Sequence, residues 1–96
     1  MDPDIKFDWD EANIAHIARH RVKPREVEWA LLHNPMYLDY EIVHDEERWT
    51  SLGHTDVFRV IIVVWTMREG AMRAITARDA PKGVKSEYLE FMGFAK

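Results

Sequence analysis

The sequence predicts an α+β fold: a mainly antiparallel sheet with helices packed on one face, in the order β-α-α-β-β-β-β-α. Three observations carry this expectation. Apolar residues recur at helical spacing in two stretches near the N-terminus (Ile14, Ile17, Ala18, then Val27, Ala30, Leu31) and in one near the C-terminus (Val84, Tyr88, Phe91). Between them, from Tyr37 to Arg78, the pattern is that of short strands joined by short polar connections. Within that region the unbroken run VIIVVW, Val60 to Trp65, reads as a central strand buried on both faces.

Taken in order, Ile5 to Trp9 alternates as a short strand, and Asp10 can cap a helix running through Arg19. Pro24 suits the first turn of a second helix, which Asn34-Pro35 ends because the residue before proline is pushed out of the α region. Leu38, Tyr40 and Ile42 alternate with Tyr37, Asp39 and Glu41, which predicts a strand with one apolar face. Glu47 to His54 and Phe58 to Met67 read as a hairpin linked by Thr55-Asp56-Val57. Arg68-Glu69-Gly70 is a turn with a glycine available for positive φ, Met72 to Arg78 is the last strand, and Pro81 opens the final helix.

A chain of 96 residues with 47% hydrophobic residues, including four Trp, is expected to form a single domain over 1–96 around one core. With no cysteine, a disulfide framework, a thiol nucleophile and thiolate metal ligands are excluded. The acidic start MDPDIKFDWDEA lacks the pattern of a signal peptide, and no apolar run approaches a membrane span, so a cytoplasmic location without membrane contact is expected. The net charge of −4 argues against whole-surface attraction to nucleic acid, so a polyanion would need a local basic patch. Charge is in fact segregated. Residues 16–25 carry Arg19, Arg21, Lys23 and Arg25 with no acid, residues 26–47 carry seven acids with no Lys or Arg, and Arg48 to Arg78 turns basic again.

Few motifs with chemistry stand out. His16 and His20 lie four apart on the first helix, a spacing compatible with a shared metal, but no third ligand is fixed nearby. His20, among basic neighbours, suits proton transfer or an anion contact, and equally a surface histidine at a helix end. In a regular strand Glu47 and Arg48 point to opposite faces, and so do Arg73 and Arg78, five apart, which predicts different jobs for the two arginines. An arginine on a sheet can fork onto a phosphate or pair with the acids of 39–47. No Gly-rich phosphate loop and no GxSxG elbow occur. The four tryptophans, one per element, read first as core.

FDWDEANIAHIARHRV, HNP after the second helix, EERWTSLGHT, RVIIVVWT and RAITARDA, in this order over residues 7–80, together resemble the BrnT toxin family. The resemblance implies a RelE-like fold, metal-independent endoribonuclease activity with no cofactor, and neutralisation by a small antitoxin that also binds DNA. It places the family's basic helix end on His20, its acidic-basic strand start on Glu47 and Arg48, and its last-strand motif on Arg73, Thr76 and Arg78. Arg21 stands where the family commonly has Gly, and Asp79 follows Arg78 where a second basic residue is usual.

The candidate catalytic set is therefore His20, Glu47, Arg48, Arg73 and Arg78, with Arg48, Arg73 and Arg78 on RNA phosphate and His20 or Glu47 in proton transfer. The competing reading is a catalytically weak interaction protein that mainly binds an antitoxin-like partner. Leu89, Phe91, Met92 and Phe94 crowd the last helix and tail, which suggests either a contact surface for a partner or a second copy, or a tail that completes the core.

Overall fold

The structure, a computed structural model, describes residues 5–93. It contains a five-stranded mixed sheet and three helices: β1 (Lys6–Phe7), α1 (Glu11–Ala18), α2 (Pro24–Leu32), β2 (Met36–Val43), β3 (Glu46–His54), β4 (Val60–Arg68), β5 (Ala71–Asp79) and α3 (Lys82–Phe91). The spatial order is β1-β5-β4-β3-β2, so β2 is one edge of the sheet. Neighbours are antiparallel except β1, a two-residue strand lying parallel to β5.

The local chemistry explains the boundaries. The Asp10 carboxylate accepts from the Asn13 amide at 3.0 Å while the Asn13 side chain accepts from the Asp10 amide at 2.8 Å, a reciprocal cap that starts α1. Pro24 sits in the first turn of α2, and the Lys23 amide donates to the Glu26 carboxylate at 2.9 Å. His44 and Asp45, both at positive φ (51° and 65°), form the two-residue link of the β2–β3 hairpin, the turn that suits the twist of paired strands. The β3–β4 connection is longer than the sequence suggests. Phe58 lies in it at φ 60°, outside β4.

Contrary to the expectation of helices on one face, both faces of the sheet carry them. Ile61, Val63 and Ala77 pack with Ile17 of α1 and with Val27, Ala30 and Leu31 of α2. Val60 and Ile62, the alternate residues of β4, pack with Leu52 and with Tyr88 of α3 on the other side. This is why VIIVVW is apolar without alternation. The α2 helix approaches β3 closely at Gly53, where a Cβ would lie 2.7 Å from the Ala30 carbonyl oxygen. Of the C-terminal apolar residues, Leu89 and Met92 join the second core cluster, Phe91 is 70% exposed, and Phe94 lies outside the described residues. Trp65 is core and Trp9 and Trp49 pack against it, whereas Trp29 is exposed and stacks on His33.

Two bulges reset the alternation. On β5, Val64 faces Thr76 while the next residue, Trp65, faces Ala74, so Ile75 is the extra residue. Arg78 then lies opposite Ile62 and Arg73 opposite Thr66, two positions four apart on the same face of β4. The expectation that these arginines face opposite sides is overturned: both lie on the face that carries α3. On β2 the register shifts between Tyr37 and Asp39, which brings Tyr37 onto the face of Tyr40 and Ile42. Among the described residues no helix is long and apolar enough to cross a membrane.

Candidate active site

Helix α3 meets the sheet at Leu52, Val60 and Ile62, near the end of β3 and the start of β4. Toward the opposite ends of these strands the same face changes character. Alternation along β4 places Thr66 and Arg68 there, β5 contributes Thr76 and Arg73, and β3 contributes Thr50, Arg48 and Glu46, while Arg78 lies on the same face beside Ile62, at the α3 end. Arg48 turns to this face because its neighbour Trp49 faces the other, stacked on Trp65 with ring centres 4.8 Å apart. Three of the sequence-predicted residues, Arg48, Arg73 and Arg78, thus share one face.

Two clefts border it. The first, about 250 Å³, is lined by Asn13 and His16 of α1 and by Glu46, Thr66, Arg68 and Arg73 of the sheet. Here an imidazole, a carboxylate and two guanidinium groups surround one open space, a set able to move a proton beside an anion. Arg73 is only 13% exposed. Its Nη2 lies 2.9 Å from Asp10 Oδ2 and its Nη1 3.5 Å from Asp8 Oδ2, where Nη1 is buried without a hydrogen-bond acceptor among the described residues. The Asn13 amide, and after it the Arg73 guanidinium, hold the Asp10 carboxyl below the usual carboxylate range. Asn13 Nδ2 donates to the carbonyls of Asp8 and Ala74, which fixes the start of α1 beside the β5 bulge. Arg48 Nε donates to Glu46 Oε1 at 3.0 Å.

The second cleft, about 410 Å³, is lined by Arg19, His20, Arg21, Arg78 and Asp79. Arg78 is exposed, and none of the ion pairs among the described residues engages it. The cleft is held from below by Arg59. Its Nη2 donates to the His20 carbonyl at 3.0 Å, its Nη1 to the Arg21 carbonyl at 2.7 Å, and its Nε to Asp79 at 2.6 Å. Asp79 above all, and Glu26 with it, raise the Arg59 pKa further above its ordinary value. The acid that follows Arg78 is therefore the anchor for the residue that holds the His20 and Arg21 carbonyls beside this cleft.

Glu47 does not join the arginines. It faces the side of Trp49 and Trp65, opposite Ile42, and its carboxylate accepts from Tyr40 Oη at 2.7 Å, which raises the Tyr40 phenol. Nor do His16 and His20 converge: α1 ends at Ala18, so His20 belongs to the turn beyond it and lines the other cleft. Among the described residues no group of three His, Asp or Glu could hold a metal ion. Sequence reasoning missed Glu46, Arg68 and Arg59 and weighed His16 only as a ligand. The signal for Glu46 is its parity with Arg48, readable once the His44–Asp45 turn fixes where the strand begins.

No curated protein matches the chain. A family model described as the ribonuclease toxin BrnT of a type II toxin–antitoxin system matches residues 9–83, a span that runs from just before α1 through both clefts to the start of α3. The chain belongs to the BrnT family of ribonuclease toxins of type II toxin–antitoxin systems.

Proposed function

We propose that the chain cleaves RNA without a metal ion or cofactor, on the arginine-bearing face of the sheet, and that the fold is of the RelE-like class. The observation that carries this reading is the bulge at Ile75, which aligns Arg73 and Arg78 on one face with Arg48. Guanidinium groups can supply there the positive charge that a metal would otherwise bring to a phosphate. In the reaction a base takes the 2′-hydroxyl proton and the oxygen attacks phosphorus. The P–O5′ bond then breaks, and an acid returns a proton to the departing 5′-oxygen, leaving a 2′,3′-cyclic phosphate. Arg78, which no ion pair among the described residues engages, and Arg48 hold RNA phosphate, while Arg73 fixes the first cleft through Asp8 and Asp10.

Proton transfer falls to His20, which lines one cleft with Arg78, with His16 and Glu46 of the first cleft as the second acid–base pair. Glu47 is left out of this role by its position on the other face. The reaction needs RNA in the cytoplasm, and the partner that restrains it is a small antitoxin that also binds DNA. Purified protein should cleave a structured RNA equally in EDTA and in Mg²⁺, and His20→Ala should slow it. Activity abolished by EDTA and restored by Zn²⁺ or Mg²⁺ would overturn the metal-free reading. One observation favours the weaker alternative of a protein that mainly binds its partner: Arg48 and Arg73 are both engaged by carboxylates. A binding-competent protein with no cleavage under any of these conditions would establish that alternative.

A further inference from the structure

We propose that the free edge of β2 is the docking strand for the antitoxin, which adds an extended segment alternating apolar and basic residues as a sixth strand. This rests on the chain being the toxin half of a pair. The outer edge of β2 pairs with no strand among the described residues, and all six residues from Tyr37 to Ile42 are exposed. Such an edge presents a row of main-chain donors and acceptors to any extended segment. Here it also carries two distinct rows of side chains. Tyr37 and Ile42, 66% and 64% exposed, lie with Tyr40 on the face of Trp49 and Trp65, where Tyr40 meets Trp49 at 5.5 Å and Tyr37 meets Trp65 at 6.5 Å. Asp39 and Glu41 lie on the other face. An added strand would therefore meet an aromatic and aliphatic row on one side and carboxylates on the other, which calls for apolar residues alternating with Lys or Arg.

The charge selects among occupants. A second copy pairing antiparallel about Tyr40, the register that stacks the apolar row on itself, would set Asp39 against Glu41 twice, like charges directly opposed. A nucleic acid would meet the most acidic stretch of the chain: residues 26–47 hold seven acids and no Lys or Arg. A basic strand satisfies both rows. The strand itself has no Lys or Pro to blunt the edge, and carries only its carboxylates and the irregularity beside Leu38.

The test uses the full chain and two capped peptides of about ten residues, one alternating Lys and Val and the other Glu and Val. Amide hydrogen exchange followed by NMR reads where they bind. The Lys-Val peptide should slow exchange within Met36–Val43 by about tenfold or more, and the Glu-Val peptide should not. Asp39→Lys with Glu41→Lys should reverse that preference, and Ile42→Lys, at an exposed position, should weaken the Lys-Val peptide by about tenfold. Lys-Val binding that protects another element, that survives the charge reversal unchanged, or that is absent at millimolar peptide overturns the proposal. RNA cleavage by the unmodified chain is measured alongside. Strand addition without cleavage would sink the ribonuclease reading alone, and cleavage without strand addition would sink this one alone.

Discussion

Arg73 and Arg78, five residues apart on one strand, lie on the same face of the sheet because Ile75 is the extra residue of a bulge between them. Their environments nevertheless differ. Arg73 is 13% exposed between Asp8 and Asp10, and Arg78 is exposed at the mouth of the cleft that holds His20. The bulge gives them a common face, and the acids before α1 give them different partners.

The two alanine variants should separate accordingly. Arg78→Ala should lower kcat/KM for RNA by about a hundredfold, the scale of losing one donor to a developing oxyanion, with the melting temperature within about a degree of the parent. Arg73→Ala should destabilise by about 1–2 kcal/mol, less than for a fully buried pair because Asp8 and Asp10 keep part of their hydration. Thermal melts and initial rates on the same preparations check both. Equal losses of stability in the two variants would remove the distinction drawn from their ion pairs.

Much of this arrangement was legible in the sequence, and the parts that were not have physical causes. The helices, the cap at Asp10 and the central strand follow from local patterns and are found there, although Ile14, Ala18 and Phe91 of the helical pattern are exposed. The face of Arg73 is not a local property. It depends on one unpaired residue, Ile75, whose side chain carries no turn signal, and a one-residue slip inverts every assignment beyond it. The same sensitivity separates Glu46 from Glu47. The side on which α3 docks is set by which alternate residues of VIIVVW it meets, and an all-apolar run gives no preference. His16 was visible only as half of a histidine pair, because the cleft it lines is built from β3, β4 and β5.

Acid should weaken the junction between α1 and β5. Because the folded Asp10 carboxyl titrates below its ordinary value, its contribution is fully present above the ordinary carboxylate range and is lost as the pH falls through the lowered folded value. Asp10→Asn keeps a capping side chain but loses the charge opposite Arg73. Its melting temperature should fall below that of the parent at neutral pH, and the gap should narrow below about pH 4. A gap that stays constant across a pH series would show that charge at Asp10 contributes nothing.

Gly53 should resist enlargement. A methyl group there would sit 2.7 Å from the Ala30 carbonyl oxygen and 2.9 Å from Ala30 Cβ, contacts that only a shift of α2 away from β3 could relieve. Gly53→Ala should cost about 1–3 kcal/mol, the range for overpacking a closely packed site. Denaturant unfolding would measure it. Adding Ala30→Gly should recover part of the loss by removing one of the two contacts, a coupling that a double-mutant cycle would detect.

Arg21 offers a variant in which stability and RNA binding should move in opposite directions. Its φ of 59° is left-handed, a conformation that costs an L side chain about 1–2 kcal/mol and glycine almost nothing. Its carbonyl, and that of His20, accept from Arg59, so the backbone shape matters more here than the side chain. Arg21→Gly should preserve that shape and relieve the strain, while the greater freedom of glycine in the unfolded chain returns about 0.5–1 kcal/mol of the gain. The net expectation is about 0.5–1 kcal/mol of added stability, a rise of a few degrees in Tm for a domain of this size. The same change removes one of the cations lining the cleft of His20 and Arg78. Affinity for RNA should therefore fall, and the salt dependence of binding should become shallower by about one phosphate contact. Melting curves and titrations at several salt concentrations decide the matter: an RNA salt slope unchanged by Arg21→Gly would mean that this cleft does not lie on the path of the RNA backbone.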